Sequence, residues 1–370
     1  MPSPVNGDSG RMRVGVFLLA AKFPGQSDQE VLTATVRAAV AAERAGFDDV
    51  WLAEHHFMSY GICPSAVTLA AYVLGATRRV DVGTAVSVLS AWHPVALAEQ
   101  AALLDQVSVG RFRLGVGRGG PWRELEVFGT GLNRYEKGFP EGLDLLLAAL
   151  SGRPVDASGE FFQFREVTVV PGPRTRPHLP VVVAATSPAT AELAAARGLP
   201  MLLGLHADDD GKREMMNHYT AGAARHGVRP AEGHVAVVVA QVADSQAEGR
   251  RLLRDRLPRW LGPGLAGYVP VDGQPRTARD PDGYAELLSR IHPVGTAADC
   301  AAAMAATARH TGVTHLLCMV EGSGDPAAVE ENIARLGAEV LPMLPGRDPR
   351  PPSAPGGVQG VYGAVTGGGH

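Results

Sequence analysis

Between residues 13 and 343 the chain alternates short aliphatic, β-branched runs with longer segments of helical apolar spacing, and it does so eight times. The runs are RVGVFLLA (13–20), DDVWLA (48–53), RVDVGTAVSVL (79–89), RFRLGVG (111–117), PVVVAAT (180–186), PMLLGL (200–205), HVAVVVAQV (234–242) and THLLCMV (314–320). A strand that must pass through a helix before the next strand arrives pairs with it in parallel. Parallel strands with both faces covered read as continuous apolar runs, as these do.

The intervening segments carry helix punctuation. SDQE (27–30) has capping-box form, with Ser27 and Glu30 satisfying opposite needs of one helix start. Val31, Leu32, Val36, Ala39 and Val40 follow at helical spacing and Gly46 stops the helix. Pro94 suits the first turn of the helix after strand three. EFFQFREVTVV (160–170) reads as an inserted hairpin, and the helix after strand seven as Gln246–Leu257. Gly262 to Asp282 reads as a long surface loop before the last strand. Eight strand–helix pairs over about 330 residues predict one (β/α)₈ barrel. A doubly wound sheet is the alternative, but LLAAKFPGQS after the first run lacks the G-x-G-x-x-G turn that such a sheet would carry there. The expected organisation is a flexible N-terminus (1–11), a barrel domain (12–345) and a disordered Gly- and Pro-rich tail (346–370).

Composition narrows the partners. The net charge of -4 and pI near 6.3 give no basic excess for nucleic acid. No run is long and apolar enough to span a membrane, and the N-terminus lacks a signal core. Three scattered cysteines make neither a disulfide framework nor a Cys-rich zinc site, so a cytoplasmic protein is expected.

In such a barrel, chemistry sits at the C-terminal ends of the strands. Strand two ends in AEHHF, placing Glu54, His55 and His56 there. An imidazole at that place suits proton transfer, since its ordinary pKa lies near neutrality. Structural Glu–His pairing that fixes a loop is the bland alternative. No H-x-x-x-H or H-x-H partner appears, so no metal site is expected.

GFDDVWLAEHHF, AAYVLGATRRVDVGTAVSVLSAWHPVALAEQAALLDQVSVGRFRLGVGRG and VFGT, continued by ARGLPMLLGL and IHPVGT, resemble the bacterial luciferase-like flavin monooxygenases, most closely the luciferase α subunit type. The resemblance covers about residues 12–345. It implies a barrel that binds reduced FMN supplied by a separate NAD(P)H:flavin reductase, reacts it with O₂ and inserts one oxygen into an organic substrate. It implies that His55 is the catalytic acid/base, with His56 and Glu54 shaping its network. It places a non-proline cis peptide at Ala85–Val86 against the flavin ring. It assigns the phosphate to Arg118 of GVGRGG and to AATSPAT, from Ala184 through Thr186, Ser187 and Thr190. A dianion suits a guanidinium and helix-start hydroxyls, although a plain turn and ordinary N-capping would also explain these residues. A second arginine of the family falls on Arg134 or Lys137.

Departures from the pattern bear on substrate. A family cysteine is replaced by Gly117, expected to leave room beside the flavin. A family tryptophan is replaced around Leu205 and His206, while Trp260 remains, and the lid before IHPVGT is shorter. Trp92 and Trp122 are expected to flank the mouth. The resemblance with these changes favours a tailoring monooxygenase on a secondary metabolite, as in antibiotic biosynthesis, over aldehyde oxidation with light emission. An F420-dependent hydride-transfer enzyme and a non-catalytic partner subunit are the other readings. The helices of 64–76 and 98–106 are expected to pair two copies in a homodimer.

Overall fold

The computed structural model describes residues 11–347 apart from positions 177, 277 and 278. The two expected tails therefore lie almost wholly outside the described residues. The eight runs form parallel strands: β1 (Arg13–Leu18), β2 (Asp49–Leu52), β3 (Asp81–Thr84), β4 (Phe112–Gly117), β5 (Val181–Ala185), β6 (Met201–Leu203), β7 (Val235–Val239) and β8 (His315–Met319). Each pairs with the next, and β8 returns to β1 with Arg13 opposite His315, so the sheet closes.

Alternation along the strands separates two apolar layers. Val14, Val16, Leu18, Val50, Leu52 and Val82 face outward under the helices. Phe17, Trp51, Val182, Val237 and Leu317 face inward. Each such buried side chain contributes about 1.5–3 kcal/mol relative to exposure.

The helix at Asp28–Arg44 starts on the expected capping box, with Ser27 and Glu30 each bonded to the other's backbone N–H. Pro94 opens the helix Pro94–Val107. The inserted hairpin pairs Val155–Ser158 with Gln163–Val167. Among the described residues no helix is long and apolar enough to cross a membrane.

Three boundaries differ from the sequence expectation. The third run stops at Thr84 and resumes at Ser87–Val88, because the Ala85–Val86 peptide is cis. The seventh ends at Val239, and Gln241–Val242 pairs instead with Val294–Gly295. The long loop is much shorter than Gly262 to Asp282. One helix runs from Gln246 to Ala266 through Pro258 and Pro263. Burial of Leu253, Leu257, Trp260 and Leu261 over the barrel outweighs the breaker residues. A further helix, Pro281–Ile291, starts at Asp280, which accepts from Gly283 N. The non-helical strap between them is described over residues 267–276 and 279–280.

The floor of the barrel is ionic. Arg13 reaches Asp49 at 2.8 Å and Asp81 at 3.2 Å, Arg113 reaches Asp81 at 2.9 Å, and His315 Nε2 lies 2.9 Å from Asp49. Trp51 fills the interior above and donates from Nε1 to Asp49 at 3.0 Å. Gly83 faces it, where a Cβ would lie 2.5 Å from the indole ring. Burial pushes the Asp49 carboxyl upward, but His315 and Arg13 outweigh it and hold the group well below the usual carboxylate range.

Asp49→Ala is expected to cost roughly 3–5 kcal/mol, since it leaves charges of the floor unpaired. A group with a depressed folded-state pKa stabilises above its unfolded pKa and loses that effect as pH falls. Urea unfolding should therefore show the full deficit at pH 7 and a shrinking one below about pH 4.

Candidate active site

β2 delivers its polar end to the opposite rim. Glu54 is buried, and its carboxylate accepts from Ala66 N at 3.1 Å, Val88 N at 3.0 Å and Trp92 Nε1 at 2.8 Å. One carboxylate thus ties the end of β2 to a helix start, to the segment after the cis peptide, and to an indole. His56 Nε2 lies 3.6 Å from Glu54 Oε1, beyond hydrogen-bond range, and the ring packs edge-on against Phe128.

His55 takes a different course. Its backbone N–H donates to Cys63 O at 3.0 Å, and its ring sits edge-on to Tyr60 at 5.1 Å and Tyr268 at 6.2 Å. Nδ1 is sealed and unpartnered beside Gly61, where a Cβ would lie 2.7 Å from it. Burial lowers the imidazole pKa; Glu54 opposes this and His56 reinforces it, for a value of about 4. His55 is therefore neutral at physiological pH and able to accept a proton.

Tyr60 and Tyr268 continue into an aromatic wall. Tyr60 stacks on Trp260 at 4.7 Å, Trp260 Nε1 donates to Tyr60 O, and Trp122 meets Tyr268 at 5.0 Å. The strap is fastened there: Val271 N donates to Pro121 O at 2.7 Å, and Trp122 bridges to Pro270. Trp122 therefore packs between Tyr268 and the strap, while Trp92 is engaged with Glu54.

The other residues gather at the ends of β3, β4 and β5. The Ala85–Val86 peptide is cis, as the resemblance implied. Val86 links the strands: a Cβ at Gly117 would lie 2.6 Å from Val86 Cγ2 and 3.3 Å from Ala184 Cβ. This overturns the idea that Gly117 leaves spare room, because Val86 already fills the space. Arg118 is half-buried, with Cζ 5.8 Å from the Tyr135 ring and 5.5 Å from Phe139. Its Nε has no partner, and among the described residues no carboxylate pairs with it. Arg134 donates to Trp92 O and lies 4.9 Å over Phe162, whereas Lys137 is exposed. Ser187 caps the helix Pro188–Ala195, accepting from Thr190 N at 3.3 Å, with the two hydroxyls 3.1 Å apart. Thr186 beside them is exposed. Unpaired guanidinium and hydroxyls at a helix start fit a phosphate.

Several residues here gave no signal in the sequence. Ser87 and Ser90 bury unpartnered hydroxyls beside the cis peptide. Glu321, just past β8, accepts from Leu19 N at 2.6 Å and Ala21 N at 3.1 Å. Burial, opposed by those N–H groups, pushes its carboxyl up to about 7.

A closed parallel barrel with a cluster of polar and aromatic side chains at the C-terminal ends of its strands has the layout of a barrel enzyme. A family profile described as luciferase-like monooxygenase matches residues 12–339. The alkanal monooxygenase alpha chain of the Kryptophanaron alfredi symbiont is 30% identical over 351 residues, covering 90% of this chain and 98% of that one. Monooxygenase RslO1 from Streptomyces bottropensis superposes with a TM-score of 0.78 at 25% identity, over 90% of this chain and 99% of that one. Two more distant structures share the fold. One is the oxygenating constituent of 3,6-diketocamphane monooxygenase from Pseudomonas putida, in complex with FMN (TM-score 0.72, 20% identity, 90% of this chain and 98% of that one). The other is an F420-dependent secondary alcohol dehydrogenase (TM-score 0.73, 19% identity, 91% of this chain and all of that one). The chain belongs to the luciferase-like monooxygenase family and is a flavin-dependent monooxygenase.

Glu54→Gln keeps the shape of the side chain but turns one acceptor into a donor facing N–H groups. The expected loss is about 1–3 kcal/mol, read by urea unfolding. Unchanged stability would show that the carboxylate does not organise the rim.

Proposed function

We propose that the chain is the oxygenase of a two-component system, taking reduced FMN from a separate NAD(P)H:flavin reductase and inserting one oxygen atom of O₂ into an organic substrate. The observation that carries this reading is a neutral His55, its ring Nδ1 without a partner, at the same barrel rim as an Arg118 that no carboxylate pairs with among the described residues. Arg118 and Arg134 would hold the phosphate with Thr186, Ser187 and Thr190, and Ala85, Val86 and Ala184 would line the ring. Bound reduced FMN supplies the electron pair that activates O₂. With Nδ1 sealed against Gly61, His55 exchanges its proton through Nε2, with Glu54 fixing the rim around it and His56 as its neighbour. The wall of Tyr60, Tyr268, Trp122 and Trp260 excludes water, which would otherwise divert the activated oxygen.

The aromatic wall and the short strap favour a bulky metabolite, as in natural-product tailoring, over aldehyde oxidation with light emission. Hydride transfer with F420 is the second reading, because a neighbour of the same fold is described with that cofactor. Consumption of O₂ in proportion to reduced FMN separates the two. The FMN reading places the enzyme in the cytoplasm beside its reductase.

His55→Ala should retain FMN while product formed per FMN oxidised falls roughly a hundredfold or more, the oxygen being lost as peroxide. Product yield measured against O₂ uptake checks this, and an unchanged yield would remove His55 from the chemistry.

The homodimer reading rests on apolar side chains left open on two helices and just past the second: Tyr72 (67% exposed), Leu103 (48%), Val107 (66%) and Val109 (66%). Leu103→Glu combined with Val107→Glu should shift the protein from dimer to monomer in light scattering without unfolding it. A wild-type monomer would sink the assignment.

A further inference from the structure

The hairpin inserted between β4 and β5 forms a two-stranded sheet of its own, yet one of its side chains reaches the candidate phosphate site. Its turn is fixed by Glu141 of the helix Gly131–Leu150, whose carboxylate accepts from Phe161 N at 3.1 Å and Phe162 N at 3.0 Å. Gly159 permits that approach, because a Cβ there would run into Glu141 Oε1. Held this way, Phe162 is buried, and Arg134 Cζ lies 4.9 Å over its ring. His93 packs edge-on against the same ring at 5.2 Å. Phe161 comes in beside it: a Cβ at Gly138 would lie 3.1 Å from the Phe161 ring and 3.1 Å from Arg134 Cγ. The guanidinium itself donates to Trp92 O. Among the described residues no carboxylate lies within ion-pair range of Arg134, and the acids of the turn are engaged, Glu141 as above and Glu160 with Asn133 at 3.4 Å. An arginine seated by a carboxylate is held but neutralised. One seated by a ring face and a carbonyl is held with its charge intact. Arg118 is treated alike, over Tyr135 and Phe139 of the same helix. Two half-buried guanidinium groups with charge to spare suit a dianion better than a neutral ligand.

We propose that the inserted hairpin makes this barrel select a phosphorylated flavin, with Phe162 the residue that positions Arg134 for the phosphate. This rests on the FMN reading of the site and gives the hairpin a role within it. Phe162 touches no reacting atom, so it is a positioning residue. It acts on affinity for the phosphate and leaves the binding of the flavin ring unchanged.

The test titrates reduced FMN and reduced riboflavin anaerobically into the full chain, since the two share the ring and differ by the phosphate. The wild type should bind FMN on the order of a hundredfold more tightly, as two charge-assisted contacts imply. Arg134→Gln should weaken FMN binding about tenfold and Phe162→Leu about fivefold, the scale of a partly desolvated cation over a ring. Riboflavin affinity should stay the same in both. In the double variant, Phe162→Leu should add nothing to Arg134→Gln, because the ring then has no guanidinium to place. Glu141→Gln loosens the turn without altering the buried ring. It should show the same FMN-selective loss at smaller size, and it decides the matter should Phe162→Leu not fold. Equal loss of both flavins in Phe162→Leu or Glu141→Gln, full FMN affinity in Phe162→Leu or Arg134→Gln, or additive losses in the double variant would overturn the inference alone. A wild type that binds the two flavins equally, or neither, would bring down the FMN reading together with it.

Discussion

The shape of the rim depends on the buried carboxylate of Glu54. Among the described residues Glu54 has no basic group within ion-pair range other than His56, and what makes it tolerable is donors from three separate segments. Because those segments are a helix start, the chain after the cis peptide and the loop bearing Trp92, satisfying the carboxylate also fixes the shape of the mouth. The same strand carries a second buried carboxylate at its other end, where Asp49 closes the floor with Arg13 and His315. Trp51 lies between the two and fills the middle. β2 therefore sets the polarity of the barrel: a charge locked by cations below, and above it a charge locked by N–H donors. Only the upper arrangement leaves imidazoles uncommitted.

Much of this was legible in the chain itself. The strands were readable because fully buried parallel strands must be apolar along their whole length, and the Ser27–Glu30 cap because its chemistry is local. The placement of Glu54, His55 and His56 at a strand end followed from the same pattern. The cis peptide was legible only through resemblance, since Ala-Val has no sequence mark of its own. Arg134 and Lys137 could not be told apart, because three residues on a helix turn one side chain toward Trp92 and the other toward water.

What was not legible depended on distant partners. Pro258 and Pro263 signal a break, yet the helix continues because Trp260 and its neighbours are buried against Tyr60 and Phe23. Gly117 suggested space, but the space belongs to Val86, which arrives from another strand. Glu321 looks like any acidic residue after a strand until the N–H groups of Leu19 and Ala21 are seen to converge on it. In each case the deciding group lies far along the chain.

On the proposed reading, the arrangement also bears on the direction in which His55 would work. An imidazole that burial lowers to about 4 holds almost no proton near neutrality, so in the proposed reaction it would enter as acceptor. It serves as a donor only after taking a proton from within the site. Glu54 would raise its basicity, but that carboxylate is already held by three donors, and burial dominates. Stronger pairing between the two would give a charged imidazole, ready to protonate an oxygen species before substrate was present. In the proposed oxygenase, keeping His55 apart from Glu54 would delay the proton, and that delay would separate substrate oxidation from peroxide release.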